Sequence, residues 1–169
     1  MGPLVNVMEN FRKSYDVFLQ YLMFIMMIAL AITVVFGVIF RWSGQALVWY
    51  DEVASVQLAW LTYYGSAYAA LKGSHIGVPS ILKSFPIPIR KVFFIVSKIV
   101  IYSFFTLMTY YGLIVMNLIH GETLTTLEWV PQSLVQSVIP VGSFLFMLSE
   151  TLRLKEDYQS VMGQGEHQS

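Results

Sequence analysis

The chain has 169 residues, of which 56% are hydrophobic and only 12% are charged, and its formal net charge is zero. A soluble domain carries about 25% charged residues, so this composition predicts an integral membrane protein. The neutral charge disfavours nucleic-acid binding, and the absence of cysteine excludes disulfides, thiolate nucleophiles and cysteine-bound metals.

Four stretches without Asp, Glu, Lys or Arg are long enough to cross a bilayer: 17–40, 53–71, 99–119 and 129–149. About 20 apolar residues in a helix match the hydrocarbon core, and lipid requires backbone polar groups to be satisfied within the segment. We therefore predict an all-α integral membrane protein with four transmembrane helices, the third beginning near residue 95. These helices form one domain over residues 1–155, and a polar, disordered tail follows over 156–169.

The first stretch is preceded by a segment with helical periodicity. Apolar residues recur there at spacings of 4, 3, 4 and 3, at Leu4, Met8, Phe11, Tyr15 and Phe18. This pattern is typical of an amphipathic helix lying along the cytoplasmic interface, or of a first span that continues into water. Because the stretch 17–40 exceeds the apolar part of a signal peptide, about 7–15 residues, we interpret it as a retained span.

The basic residues indicate the orientation. Eight of the ten lysines and arginines lie in the two tails and the middle loop, whereas Arg41 is alone in the first outer loop. The positive-inside rule then places both termini in the cytoplasm. Lys98 lies at the inner end of the third span, where its stem can snorkel to the interface. Three tryptophans lie at the predicted outer ends, as expected for headgroup anchors: Trp42, Trp49 and Trp129.

The middle loop, residues 76–91, is too apolar for a free linker. Pro79 is suited to open a short helix there, and Pro86 and Pro88 are suited to end it. We predict a short segment in the plane of the membrane. Its basic side chains would face lipid headgroups: Lys83, Arg90 and Lys91.

Two spans carry faces suited to packing against protein. In the second span, the pairs Gly65/Ala69 and Ser66/Ala70 allow close helix approach, and Gln57 lies nearer its outer end. The fourth span presents Gln132, Gln136, Pro140 and Ser143 on one side, and amides are costly in hydrocarbon. Pro140 should kink this helix or leave a free carbonyl near its middle. We expect these residues to form helix contacts and the interface with a larger membrane partner.

The acidic pair Asp51-Glu52 begins the second span on the outer side, near Arg41. Carboxylates there stabilise the helix dipole by about 0.3–1 kcal/mol, which is sufficient reason for their presence. The alternative is that Arg41, Asp51 and Glu52 form an outer ion pair or a docking surface for a partner subunit.

The sequence offers no catalytic, cofactor or metal site. Its histidines, His75, His120 and His167, are not paired within the spans, and no nucleophile–base set or metal-binding motif occurs. No carboxylate lies within the four stretches, although intramembrane charges usually mark ion pathways. A supporting subunit is therefore favoured over an enzyme, which has the least support, and over a small oligomeric channel or carrier lined by Gln57, Asn117 and Gln136.

Several motifs in order resemble the DctQ-type small membrane subunit of tripartite ATP-independent periplasmic (TRAP) transporters, over roughly residues 17–152. The motifs are Phe40-Arg41, Trp49-Tyr50-Asp51-Glu52, Trp60 with Gly65, Gly73-Ser74-His75-Ile76-Gly77-Val78, Pro131 and Ile139-Pro140-Val141-Gly142. The family often has Glu-Glu where this chain has Asp51-Glu52, a change that preserves charge but not reach.

This resemblance implies a bacterial inner-membrane protein that is not an enzyme. It also implies two partners: a large membrane subunit with the Na⁺ and substrate sites, and a periplasmic binding protein that delivers an organic acid such as sialic acid or a C4-dicarboxylate. In such systems the small subunit resembles a scaffold, anchoring the static part of an elevator-type large subunit.

Overall fold

The chain is helical throughout most of its length in a computed structural model that describes residues 3–73 and 85–162, with side chains described from residue 9. The described helices are α1 (Pro3–Trp42), α2 (Tyr50–Lys72), α3 (Ile87–Leu118), α4 (Gln132–Gln136) and α5 (Val138–Met162). Within these ranges, β pairing is limited to an isolated bridge between Thr123 and Pro131. The predicted all-helical class is confirmed.

α1 is one continuous helix of 40 residues. The N-terminal segment is therefore not a separate interfacial helix; of the two alternatives, the continued first span is correct. Tyr15 and Leu19 are buried, and the Tyr15 hydroxyl donates to the Leu145 carbonyl on α5 at 2.8 Å. The apolar face of this segment contacts protein at these positions, which explains why the helix continues without a break.

Three described helical segments are long and apolar enough to cross a membrane: Glu9–Trp42, Ile87–Leu118 and Gln132–Met162. α2 has 23 residues but is not among them. It carries polar residues such as Gln57 and Ser66, and it packs against both α1 and α5, which cover part of its surface. A membrane crossing by α2, and with it the count of four spans, stays a prediction.

α5 continues well past the predicted end of the fourth span, through Met162. A disordered tail starting at Glu156 therefore differs from the structure, and residues 163–169 lie outside the described ranges. The physical reason is that the acidic side chains of Glu156 and Asp157 bind Arg12 and Lys98 of other helices. These contacts hold the last two turns of the helix.

The first turn of α3 contains prolines that we expected to end a preceding helix. Instead, Pro86 is the N-cap of α3, and Pro88 lies within its first turn, where a missing N–H has no cost. The last residues of the predicted in-plane segment, Ile87 to Lys91, thus belong to α3. Residues 76–84 of that predicted segment, with Lys83, lie outside the described residues, and so does His75.

A one-residue interruption at Ser137 separates α4 from α5. Pro140 has no N–H to donate to the Gln136 carbonyl, so the helical hydrogen-bond ladder breaks there. The ladder resumes at once, because the Val141 N–H donates to the Ser137 carbonyl at 3.1 Å. The carbonyl left without a partner by Pro140 agrees with the sequence, whereas a kink of this helix stays a prediction.

α2 and α5 form the centre of the fold, with α1 packed mainly against α2 and α3 packed mainly against α5. The core cluster consists of Tyr15, Leu19, Ala67, Ala70, Leu71 and Phe146. Phe146 also stacks on Phe105 of α3, with ring centroids 3.9 Å apart. Most of the apolar surface of α1 and α3 remains exposed, as expected for helices that face lipid or a partner.

Candidate interaction surfaces and the charge network

Several glycines lie where neighbouring helices are in contact, among them Gly37, which faces the Tyr50 ring of α2. A Cβ on Gly65 would lie 3.0 Å from the Met23 side chain of α1, and one on Gly142 would lie 2.8 Å from Tyr63 Cβ. A Cβ on Gly112 would lie 2.9 Å from Pro140 Cδ, which joins α3 to α5. At Gly65 the neighbour is the flexible end of the Met23 side chain, so close helix approach at the predicted small residues stays a prediction. The contacts at Gly112 and Gly142 could not be predicted from the sequence, because such a prediction requires knowing which helices are neighbours.

Several residues predicted to form helix contacts or the interface with a partner are used for packing within the chain. Ala70, Pro140 and Ser143 are buried, so these positions contribute to internal packing rather than to an outer surface. The Ser66 hydroxyl donates to the Tyr63 carbonyl of its own helix at 2.7 Å. Six predicted residues are partly accessible: Gln57, Gly65, Ser66, Ala69, Gln132 and Gln136.

At the outer end, Arg41 interacts with the start of α2. Its guanidinium lies 5.3 Å from the centre of the Tyr50 ring and donates to the Tyr50 hydroxyl. The closest nitrogen–oxygen distance to Asp51 is 3.7 Å, and both side chains are well exposed. This is the outer ion pair that the sequence suggested, and exposed pairs of this kind contribute about 0–1 kcal/mol.

Glu52 has a different role from Asp51. Its carboxylate accepts the backbone N–H groups of Thr125 at 3.0 Å and Thr126 at 2.8 Å, and it also accepts the Thr126 hydroxyl. These hydrogen bonds, led by that of the Thr126 hydroxyl, lower the pKa of Glu52. The side chain ties the loop between α3 and α4 to the first turn of α2. The sequence could not reveal this contact, because it joins positions more than 70 residues apart.

An apolar cavity of about 360 Å³ lies between the outer part of α2 and the segment that contains this loop and α4. We call it the outer groove. It is bounded by three of the four tryptophans of the chain, with aliphatic residues between them: Trp49, Val53, Val56, Trp60, Leu124, Leu127, Trp129, Val130, Leu134 and Val135. The Trp60 indole donates to the Val135 carbonyl at 3.0 Å, which satisfies its N–H.

The predicted lipid anchors lie on the surface. Trp42 and Trp129 are 87% and 80% exposed, and Trp49 is also exposed. Since α1 ends where Trp42 lies and α2 and α4 begin near the other two, the three rings lie at the same end of the fold. At the other end Lys91 is exposed, whereas Arg90 donates to the Phe85 carbonyl at 2.6 Å.

At the opposite end, ion pairs connect all four long helices. Lys98 of α3 donates to Asp157 at 2.8 Å and also binds Glu150, both on α5. Arg153 binds Asp157 at 3.0 Å on the same helix. Two further pairs join α1 to its neighbours: Arg12 with Glu156, and Asp16 with Lys72 of α2 at 2.7 Å. We call these residues the inner charge network.

Lys98 does not snorkel to solvent as we expected. Its side chain is only 14% exposed, and the Glu150 and Asp157 side chains are 6% and 5% exposed. The buried carboxylates of Glu150 and Asp157 stabilise the ammonium of Lys98 inside the fold. Both acids lie beyond Ser149, where the fourth span was predicted to end, so the sequence did not indicate these partners. Since Lys98 and Arg153 balance Glu150 and Asp157, the set is electrically neutral and serves to join helices.

The chemistry of these surfaces is that of binding. No group of three or more acidic or histidine side chains suited to hold a metal occurs among the residues that the structure describes. The exposed features are apolar helix faces, the outer groove and ion pairs at the two ends. They suit contacts with lipids and with protein.

Comparison with known proteins identifies relatives. The family model for the DctQ component of tripartite ATP-independent periplasmic transporters matches residues 30–160. The chain is also similar to the C4-dicarboxylate TRAP transporter small permease protein DctQ of Rhodobacter capsulatus, with 29% identity over 104 residues. That alignment covers 60% of this chain and 45% of the relative, so the chain spans less than half the length of the relative it matches.

Proposed function

Because this chain belongs to the DctQ component family of TRAP transporters, we propose that it is the supporting subunit of a Na⁺-coupled transporter for organic acids. In this role it anchors the static part of a large elevator-type membrane subunit and helps to dock a periplasmic substrate-binding protein. The name of the Rhodobacter relative supports C4-dicarboxylates as one class of cargo. Sialic acid is the other class that we propose.

The proposed location is the bacterial inner membrane, with four spans and both termini in the cytoplasm. The basic residues support this orientation, because Arg12, Lys72 and Arg153 lie together at one end. The tryptophans at the other end support it as well. α2, which corresponds to the second predicted span, has 23 residues, about 34 Å at 1.5 Å per residue. This length is sufficient for it to cross the membrane as well and bring the number of spans to four.

The observation that carries the supporting role is the distribution of charge. The buried acidic residues of the described chain, Glu150 and Asp157, are bound by Lys98, so they are committed to joining helices. Ionisable residues within a membrane usually mark ion pathways, and these two acidic side chains are already bound to a basic partner. We therefore assign ion and substrate binding to the large subunit.

The outer groove is the surface that we propose for contact with the large subunit. Its lining is apolar, and it runs beside α4, which carries the half-buried Gln132 and Gln136. Exposed apolar surface beside polar residues is typical of a protein interface. Ala69 and Gln57 of α2 are further proposed contacts, whereas Gly65 already faces Met23, so a bulky residue there would test internal packing.

Co-purification tests this interface. The chain is expressed with an affinity tag beside the large membrane subunit, and both are recovered in mild detergent. Trp129→Ala, which opens the outer groove, should lower recovery of the large subunit. Trp42→Ala is the matched control, since that ring is equally exposed but does not line the groove. Equal recovery with both variants would contradict the assignment.

Reconstitution separates the supporting role from a self-sufficient channel or carrier. Vesicles containing this chain alone should not accumulate an organic acid under a Na⁺ gradient. Vesicles containing the chain with the large subunit should do so when the binding protein is added. Uptake by the chain alone would overturn the proposed function.

A further inference from the structure

A second cavity, of about 340 Å³, lies where α1, α2 and α5 meet at the end of the inner charge network. We call it the inner cavity. Its volume is within the range of small-ligand sites, about 300–1,000 Å³. Its charged lining consists of Glu9, Arg12, Lys13, Asp16, Lys72 and Arg153.

Most of these charges already have partners. Arg12 binds Glu156, Lys72 binds Asp16 Oδ2, and Arg153 binds Asp157. Within the described residues, Lys13 and Glu9 have no ion pair. The second carboxylate oxygen of Asp16, Oδ1, is buried without a hydrogen-bond partner in the same part of the chain. Since Oδ1 has no accessible surface, the groups that the cavity offers to a ligand are the exposed Lys13 cation and the exposed Glu9 carboxylate. This pair suits a ligand with both an anionic group and an N–H donor.

An apolar track leads away from the cavity along α1. Val17, Tyr21 and Phe24 follow Lys13 at helical spacing, so they lie on its face of the helix. Their side chains are 49%, 64% and 55% exposed. A soluble phosphate compound has no apolar part that could contact this track, whereas the acyl chains of a lipid would lie along it.

We propose that the inner cavity binds the headgroup of an aminophospholipid of the phosphatidylethanolamine class. The phosphate lies against Lys13, the ammonium faces the exposed carboxylate of Glu9, and the acyl chains follow Val17 and Tyr21. Basic cavities between helices at the cytoplasmic side are suited to phospholipid headgroups. This inference goes beyond the proposed function, because it concerns a lipid site within the chain itself.

Native mass spectrometry of the purified full chain, released from detergent with added lipid, tests the proposal. Phosphatidylethanolamine and phosphatidylcholine with identical acyl chains differ at the headgroup nitrogen, where the choline lacks N–H donors. We expect about fivefold greater retention of phosphatidylethanolamine, since one hydrogen bond contributes about 1 kcal/mol and 1.4 kcal/mol is a factor of ten. Lys13→Glu should reduce that retention by about fivefold, because a basic residue near the membrane surface contributes about 1 kcal/mol.

Controls assign the effect to the cavity. Lys155→Glu makes the same charge change at an exposed position of α5 outside the cavity, and it should leave retention unchanged. Glu9→Gln should lower the preference for phosphatidylethanolamine over phosphatidylcholine, because it removes the negative charge that faces the ammonium. Circular dichroism monitors folding, and if Glu9→Gln unfolds the chain, Lys13→Glu remains as the test.

Three results would overturn the proposal. The first is equal retention of the two lipids by the unmodified chain. The second is an equal loss with Lys155→Glu, which would indicate general surface attraction. The third is displacement of the lipid by an equal concentration of water-soluble glycerophosphoethanolamine, which would indicate a site for soluble phosphate compounds.

Discussion

The Glu52 carboxylate, in the first turn of α2, accepts the backbone N–H of Thr126 at 2.8 Å. The residues next to this contact, Leu124 and Leu127, line the outer groove. One acidic side chain therefore determines the position of a loop that shapes the proposed partner surface. Asp51, its neighbour in sequence, pairs only loosely with Arg41 at 3.7 Å.

Glu52→Gln should loosen the loop between α3 and α4. The amide group cannot accept all three hydrogen bonds, so hydrogen exchange at Thr125 and Thr126 should become faster. In the unmodified chain, exchange at these amides should likewise become faster in acid when it is expressed relative to the intrinsic exchange rate at the same pH, which itself falls as the pH is lowered. Because the pKa of Glu52 is lowered on folding, the contribution of its ionised form is complete above the ordinary glutamate value, about 4.3, and is lost as pH falls through the lowered pKa. Hydrogen exchange with mass spectrometry measures both effects.

Asp51→Asn is the control for this prediction, because it removes a neighbouring carboxylate that does not bind the loop. It should leave exchange at Thr125 and Thr126 as it is. An unchanged rate in Glu52→Gln would show that the loop is held by other contacts.

Lys98→Met should destabilise the fold. The apolar side chain has a similar length, but it leaves Glu150 without its ammonium partner in a buried position. Removing one member of a buried pair costs about 3–5 kcal/mol, because the remaining charge is uncompensated. Thermal unfolding in detergent should show a lower midpoint.

A second substitution identifies the cause. Glu150→Gln in the Lys98→Met background removes the uncompensated charge and should recover part of the lost stability. Lys155→Met, at an exposed position, is the control for the loss of a lysine. If Lys98→Met unfolds at the same temperature as the unmodified chain, the inner charge network is not a source of stability.

Gly112→Ala should weaken the contact between α3 and α5. The added methyl group would lie 2.9 Å from Pro140 Cδ, a rigid ring that cannot move aside as a flexible side chain can. Overpacking of this kind costs about 1–3 kcal/mol. Thermal unfolding measures the loss, with Ser103→Ala on the exposed surface of the same helix as the control. Equal midpoints for the two variants would contradict the close approach of these helices.

Asp51→Lys tests docking of the binding protein at the outer end. Reversing this exposed charge should lower uptake of the organic acid while the large subunit still co-purifies, because Asp51 makes no contact with the α3–α4 loop. The measurement is uptake into vesicles that contain both membrane subunits, with the binding protein added. Lys91→Glu, at the other end of the fold, is the control. Unchanged uptake with Asp51→Lys would exclude this residue from the docking surface.

The helices were predictable because lipid imposes a local rule, namely a long stretch without charged residues. The interruption of the helix near Pro140 also follows from local chemistry, since proline has no N–H to donate to the carbonyl four residues earlier. The pairing of Lys98 with Asp157 was not predictable, because it depends on which helices are neighbours. The same holds for Gly112, whose importance comes from Pro140 on another helix.

The ends of α5 and α3 show why boundaries were harder to predict. Polar composition after residue 155 indicated disorder, but Glu156 is ordered by a cation 144 positions earlier in the chain. Pro86 and Pro88 were interpreted as stops, although proline is equally suited to the first turn of a following helix. Each local pattern was compatible with two structures: a polar stretch with a disordered tail or a helix, and a proline with the end or the start of a helix. Tertiary contacts or the following helix determined which of the two formed.

The arrangement of the inner charge network has a consequence for synthesis on the ribosome. Arg12 and Lys98 are translated long before Glu150, Glu156 and Asp157. Both cations therefore lack these carboxylate partners until the final helix has been made. A polypeptide that stops before residue 150 would contain every earlier helix and yet lack all three acids. We expect such a fragment to be degraded by membrane proteases, which would make completion of α5 the step at which the newly made chain becomes stable.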